Sequence, residues 1–363
     1  MKKPRIALHF IRPESERSAN IYFNRLESET ELHEDFDFFK INQNCSAGGY
    51  INIMLIISLV REIKKIKPDI IHITGVAEGF HCMVAAFFAG CKRRIIITHG
   101  FASNIKNQSL IKRIIFMLFI EPLTIILATK IQCNSEFSMN QKLIRIFGRN
   151  KCELIYNFSP TPDLELKGIN LRERYKFDKN EIIFVSVSKI SLDKGFGTLA
   201  HAIRIIPSII NTRFIIIGEG DFIGEFEKLL ETEIFEKRVI LLGKINNKQV
   251  VNILSQCDVF ILPSELPETF GQVFIEAMSQ GLVCIGTKIG AIPELVIQNE
   301  TGILVDISNY IAVSEAIQFL QNRRDLVKIY GNNAKNIYVE KFSNLIIVKK
   351  IKQQYWREIN ENI

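Results

Sequence analysis

LPSELPETFGQVFIEAMSQG, residues 262–281, decides how the chain is read. Just before it, DVFIL (258–262) is a short apolar, partly branched run of the kind that forms a buried strand. Pro263, Ser264, Pro267, Thr269 and Gly271 then interrupt regular structure. A helical pattern begins near Gln272 and stops at Gly281, and VCIGT (283–287) reads as the next strand. Strand, loop, helix, strand is the unit of a parallel sheet, and such sheets gather ligands at the carboxyl ends of their strands. A helix start at that end presents N–H groups to an anion. The stretch also sets two carboxylates, Glu268 and Glu276, eight residues apart. At 100° per residue Val273, Phe274, Ile275, Ala277 and Met278 share one broad face, with Glu276, Ser279 and Gln280 on the other. Periodicity alone therefore allows a solvated Glu276.

The same rhythm runs along the whole chain. Apolar runs at 5–10, 69–74, 94–100, 130–135 and 152–157 read as strands of a first half, and those at 181–188, 213–220, 238–244, 258–262 and 283–287 as strands of a second. Helices fit between them, for example at 51–66, 196–206, 222–236 and 247–256. The pattern implies an α/β chain with two Rossmann-like doubly wound parallel sheets, and 363 residues suit two domains. Residues 158–180 carry Pro, Gly and charge with little periodicity and read as a linker. The expected division is a first domain over 1–160, a linker at 161–180 and a second domain over 181–341. Residues 342–363 form an amphipathic helix with the only tryptophan, Trp356, expected to pack back on the first domain.

Composition narrows the function. The seven cysteines make no CxxC pair and no Cys/His metal spacing, which suits buried reduced thiols in a cytosolic protein. MKKPRIALHFIR, at the start, is basic then apolar without a long apolar core or cleavage site, so it reads as a first strand rather than a signal peptide. Residues 1–160 carry 22 Lys/Arg against 14 Asp/Glu, and residues 161–363 carry 24 against 25. All of the net positive charge thus sits in the first half, which suits an acidic partner such as anionic lipid headgroups or a phosphate-bearing acceptor. Nucleic acid is disfavoured, since there is no zinc finger, RNP-type aromatic motif or long basic tract. The apolar segment 110–131 is expected to be split by Glu121-Pro122 into pieces too short to span a bilayer. It is left as a core helix or a helix lying at a membrane interface.

Two further constellations carry chemistry. SVSKISLDKGFG (186–197) places Lys189 and Lys194 in one strand-to-helix loop, a fit for a diphosphate. GEGDFIG (218–224) is only a weak GxGxxG and reads as a glycine turn. RIIITHGF places His99 at a strand end, where it can donate to a sugar hydroxyl or polarise a leaving group.

Together these residues resemble glycosyltransferase family 4, retaining enzymes of the GT-B fold. The resemblance covers nearly the whole chain and is strongest over 181–306. SKISLDKGF is similar to that family's GRLxxxKG loop, Glu268 and Glu276 to its E-x7-E signature, GAIPELV (290–296) to its GGIPE segment and THG (98–100) to its first-domain histidine. The resemblance implies two domains facing across a cleft. It implies Glu268, Lys194 and His99 as catalytic residues. It implies donor contacts from Ser188, Lys189, Lys194, Phe270, Gly271, Gln272, Val273 and Glu276, with Glu276 on the ribose. No metal and no cofactor is expected, since the two lysines neutralise the leaving nucleoside diphosphate. Two departures stand out: Lys189 replaces an arginine and Ser188 a glycine, and the first loop, 11–23, holds no Gly-Gly pair. Ser18, Ala19, Asn20, Arg12 or Arg17 would have to compensate there.

The expected function is a metal-independent hexosyltransferase. It would move sugar from a UDP- or GDP-sugar to a surface polysaccharide, lipopolysaccharide or lipid-linked glycan. It would be cytoplasmic and peripheral on the inner face of the membrane. The alternatives are a nucleotide-sugar epimerase or sugar-phosphate synthase-type enzyme on the same fold, and a non-catalytic nucleotide-sugar binder.

Overall fold

The structure is a computed structural model and describes residues 2–11, 18–43, 51–104, 109–159, 170–207 and 212–360. Two parallel sheets of six strands organise it. In the first, β1 (Arg5–Ile11), β2 (Asp37–Gln43), β3 (Ile70–Thr74), β4 (Arg93–Thr98), β5 (Lys130–Cys133) and β6 (Cys152–Leu154) lie in the order 2-1-3-4-5-6. In the second, β7 (Ile182–Val187), β8 (Thr212–Ile217), β9 (Val239–Gly243), β10 (Val259–Leu262), β11 (Val283–Thr287) and β12 (Gly302–Val305) lie in the order 12-11-10-7-8-9. Residues 1–158 and 344–363 form one compact unit, and 159–343 the other.

Helices cover both faces of each sheet, which is why the central strands are buried from end to end. In β3 the period of two is visible in chemistry. Ile71 and Ile73 enter an apolar core with Met83, Ile96, Ile125 and Ile131. His72, between them, turns to the opposite face and sits 2.8 Å from the Tyr355 hydroxyl of the helix Asn344–Asn360. That last helix is held to the first unit along its length. Lys352 pairs with Asp35 at 2.5 Å, Gln354 donates to Glu153 at 3.0 Å, and Arg93 donates to the carbonyls of Glu358 and Ile359.

Two strands were not expected from the sequence, β2 and β12, both at sheet edges. Within the stretch read as a linker, residues 160–169 lie outside the described residues. Leu171–Tyr175 forms a short helix tied to the second unit through Leu171 N–H to Gln256 and Arg172 to Asp258. Of the first loop, 12–17 and the side chains of Ser18 and Ala19 also lie outside the described residues. The side chain of Asn20 bonds back to Ile11 N–H and C=O.

The expected break at Glu121-Pro122 is not a break. Helix runs through residues 110–127, with a π turn at Phe116–Ile120 between two α segments. Proline lacks an N–H and crowds the carbonyl four residues back, and a π turn just before it widens the bonding pattern where that donor is missing. Glu121 is fully buried, where its carboxylate accepts from Ser103 Oγ at 2.6 Å and Ser103 N at 3.1 Å. No helix among the described residues is long and apolar enough to cross a membrane. The six described cysteines are free, and five of them are buried.

Burial holds His9 down at about 4 and His72 at about 3, so the folded first unit keeps both rings neutral. The unfolded chain takes these protons near 6.5. The stability they contribute is complete above about pH 6.5 and is lost as pH falls towards about 4. Trp356 belongs to the first unit and packs on Phe36. Unfolding followed by Trp356 fluorescence should therefore show a midpoint several degrees lower at about pH 5 than at about pH 7. An unchanged midpoint would mean that these histidines are not held neutral.

Candidate functional site

In the second sheet the chain winds outward from β7 through β8 to β9. It then returns to start β10 on the other side of β7. Loops leaving β7 and β10 at their carboxyl ends diverge at this reversal, the usual place for a ligand in an open α/β sheet. Here they are locked together. The carbonyl of Asp193 accepts from Glu265 N at 2.9 Å and Leu266 N at 3.2 Å. Thr198 Oγ1 donates to Glu265 Oε1 at 2.7 Å. Gly195 has φ +75°, and a Cβ there would stand 1.8 Å from the Pro263 carbonyl oxygen, so no side chain fits.

This interlock brings Lys194 to Glu268. Lys194 Nζ lies 2.5 Å from Glu268 Oε1, with the two side chains 28% and 20% exposed. Ser264 Oγ donates to the same Oε1 at 3.2 Å, and Thr287 Oγ1 holds the Ser264 carbonyl at 2.7 Å. The backbone of Glu268 is fixed from its other side. Ala291 N donates to the Glu268 carbonyl at 2.9 Å, and a Cβ on Gly290 (φ +60°) would lie 2.4 Å from that oxygen. The GAIPELV segment therefore serves as the back wall of Glu268. Both side-chain donors take Oε1, which among the described residues leaves Oε2 for solvent or a ligand.

The helix Gln272–Ser279 starts beside this carboxylate. Gly271 is its N-cap at φ 85° and, having no side chain, adds no cap of its own. Phe270 is buried and Phe274 packs edge-on against Phe260 of β10, ring centroids 4.9 Å apart. Gln272 and Val273, in the first turn, are half-buried. Glu276 is 8% exposed, so the solvated placement that periodicity allows is not what forms. The reason is packing: the helices Asn247–Leu254 and Arg324–Ile337 cover the side that β11 does not, and residues 274–278 are all buried. Burial pushes the Glu276 carboxyl up to about 8, offset in part by a hydrogen bond with Gln272.

Lys189 stands apart from this cluster. Its Nζ is 3.2 Å from Asp221 Oδ2 and both side chains are exposed, a pair that a phosphate can replace at little cost. Asp221 belongs to the GEGDFIG turn. Ser188 continues the sheet ladder, its N–H donating to the Ile217 carbonyl at 3.1 Å. His99 belongs to the first unit, one residue past β4. There its ring lies 6.4 Å from Tyr22, and burial lowers it to about 4. Tyr22 also packs near His72, and its hydroxyl accepts from Gln132 Nε2 at 2.6 Å. The sequence reading singled out none of Ser264, Thr198, Glu265, Asp221 or Tyr22. Ser264 and Glu265 lie inside the 262–281 stretch and Asp221 inside the GEGDFIG turn, but nothing local marked them out within those stretches.

Residues 169–337 match the family model described as glycosyl transferases group 1. N-acetyl-alpha-D-glucosaminyl L-malate synthase of Bacillus anthracis is 29% identical over 193 residues, 53% of this chain and 50% of that protein. The chain thus spans about half the length of that relative. UDP-Gal:alpha-D-GlcNAc-diphosphoundecaprenol alpha-1,3-galactosyltransferase of Escherichia coli is 27% identical over 315 residues, 83% of this chain and 78% of that one. The crystal structure of Anabaena HepE in complex with UDP matches with a TM-score of 0.77 over 98% of this chain and 100% of that chain, at 19% identity. At that identity the likeness shows the fold, which is GT-B.

Between about pH 4.5 and about pH 8 a carboxyl raised to about 8 stays neutral in the folded protein while the unfolded chain is ionised. Its contribution to stability is therefore complete below about pH 4.5 and is lost as pH rises towards about 8. Glu276→Gln should match the wild type in thermal midpoint at about pH 5 and exceed it by a few degrees at about pH 8. Equal midpoints at both would show that Glu276 is solvated after all.

Proposed function

We propose that this protein is a retaining glycosyltransferase of the family 4 type. It would transfer a hexose from a UDP- or GDP-sugar to a surface-polysaccharide, lipopolysaccharide or lipid-linked glycan acceptor. The observation that carries the proposal is Glu276: a buried carboxyl in the second turn of a helix whose glycine-capped start adjoins the Lys194–Glu268 pair. Burying a carboxyl costs stability, and a ligand hydroxyl is a natural partner for it. The names of the similar proteins agree, one a galactosyltransferase acting on a diphosphoundecaprenol-linked sugar and one seen with UDP.

In this reading the ribose hydroxyls meet Glu276, and the diphosphate lies at the helix start over Gly271, Gln272 and Val273, behind Phe270. Lys194 leaves Glu268 for the phosphates. Both side chains keep some contact with solvent, at 28% and 20% exposed, so Lys194 can reach an incoming phosphate. Glu268, still held by Ser264, then faces the sugar. Lys194 and Lys189, with the Ser188 loop backbone, stabilise charge as the nucleoside diphosphate departs. Protein cations supply the positive charge, so turnover is proposed to be independent of divalent metal. His99 is assigned, from the resemblance alone, to contact with the transferred sugar. Such acceptors place the protein on the cytoplasmic side of the membrane, as a peripheral protein.

Two measurements test this. Thermal unfolding with UDP, GDP, ADP and TDP in EDTA should show a rise of a few degrees with one nucleotide, absent in Glu276→Ala. No shift with any of them would end the donor-site reading. With a working donor and acceptor, Lys194→Ala and Glu268→Gln should each lower kcat by about 100-fold or more. Product formed without any acceptor would favour an epimerase instead.

A further inference from the structure

The first unit carries its exposed apolar side chains on one face. Apart from Leu345, every large hydrophobic of that unit that is strongly exposed among the described residues falls between 51 and 147. Apart from Ile51, these residues sit on four helices, Ile53–Ile66, Phe80–Phe88, 110–127 and Lys142–Phe147. The four pack side by side over the core formed by Ile71, Ile73, Ile96 and Ile131. Their inward sides fill that core, and their outward sides are also apolar: Met54 is 76% exposed, Ile111 71%, Phe88 65% and Phe119 65%. A helix in a doubly wound layer needs one apolar stripe, not two. Contiguous apolar surface of this kind marks an interaction site.

Charge identifies the partner. Residues 51–151 hold 15 Lys/Arg against 5 Asp/Glu. Of those acids, Glu121 is buried under the layer and Glu62 is half-buried. Lys64, Lys65, Lys92, Lys112 and Arg145 are exposed on or beside the same helices. The other side of the sheet is nearer balance: residues 18–37 hold six acids and one base, and the last helix, 344–360, four bases and one acid. An apolar face interleaved with cations that outnumber acids three to one suits a surface that is greasy within and negative outside. A second copy of the same face would bring like charges together.

We propose that the outer face of these four helices docks on an anionic lipid bilayer. The side chains of Met54, Phe88, Ile111 and Phe119 enter the acyl boundary, and the lysines remain among the headgroups. The docking face lies wholly in the first unit, so it stands or falls apart from the transferase reading, whose donor residues lie in the second.

The test is flotation of the full chain with vesicles of phosphatidylcholine alone and of phosphatidylcholine mixed with phosphatidylglycerol. Low-salt binding to the mixed vesicles should exceed that to the neutral ones. The double variant Leu118→Ser/Phe119→Ser should weaken it about tenfold or more. Both replaced side chains are more than half exposed, so the unfolding midpoint by Trp356 fluorescence and any nucleotide-induced shift should stay unchanged in the variant. Absence of binding at low salt would overturn the proposal. So would binding that the variant keeps, or a concentration-dependent dimer in light scattering that the variant abolishes.

Discussion

The carbonyl oxygen of Asp193 accepts two amide hydrogens, from Glu265 and Leu266, and the candidate site depends on that junction. Loops at the carboxyl ends of β7 and β10 are about 70 residues apart in the chain, and nothing local would hold them in register. The shared carbonyl, the Thr198–Glu265 bond and the contact between Gly195 and Pro263 turn them into one piece. Lys194 and Glu268 then meet without either side chain having to search for the other. Ordering a lysine side chain costs rotamer entropy, and here much of that cost is borne by the fold before any ligand arrives.

The two sheets use polar groups differently. In the second unit the polar groups gather at the strand ends and face a possible ligand. In the first unit they run into the interior: His9 bonds to Gln43, His72 to Tyr355 and Gln132 to Tyr22. Each is buried and has one named partner, while among the described residues His9 Nδ1, His72 Nε2 and Gln132 Oε1 are left without one, so each side chain is satisfied on one side only. Such an interior fixes which helix covers which strand more tightly than apolar contact alone, because a misplaced helix leaves these groups unpaired.

Much of this was legible in the sequence, and the failures have physical causes. Both central strands and the loops that follow them stand out because fully buried parallel strands are unbroken apolar runs. β2 escaped because it is an edge strand with Asp37, Lys40 and Asn42 exposed, so its pattern is diluted. β12 escaped because it is only four residues long and opens on a glycine. Glu276 could not be placed by periodicity, since a helical wheel assumes water on one side. This helix has protein on both, supplied by segments that begin 25 residues before it and 52 after it in the chain. The proline at 122 misled for a related reason. A break was inferred from a missing donor, while a single wide turn absorbs the loss.

Residues 344–360 complete a unit that begins at the other end of the chain. During synthesis the first 158 residues emerge long before their closing helix. The 185 residues of Ser159–Ser343 must be made in between, which takes on the order of 10–40 s at ordinary translation rates. Over that interval His72 has no Tyr355 and Phe36 has no Trp356 against it, so the first unit waits with an open flank. The second unit is continuous in the chain and can close at once. The order of maturation is thus the reverse of the order of synthesis, and a chain stopped short of residue 344 would carry a finished second unit and an unfinished first.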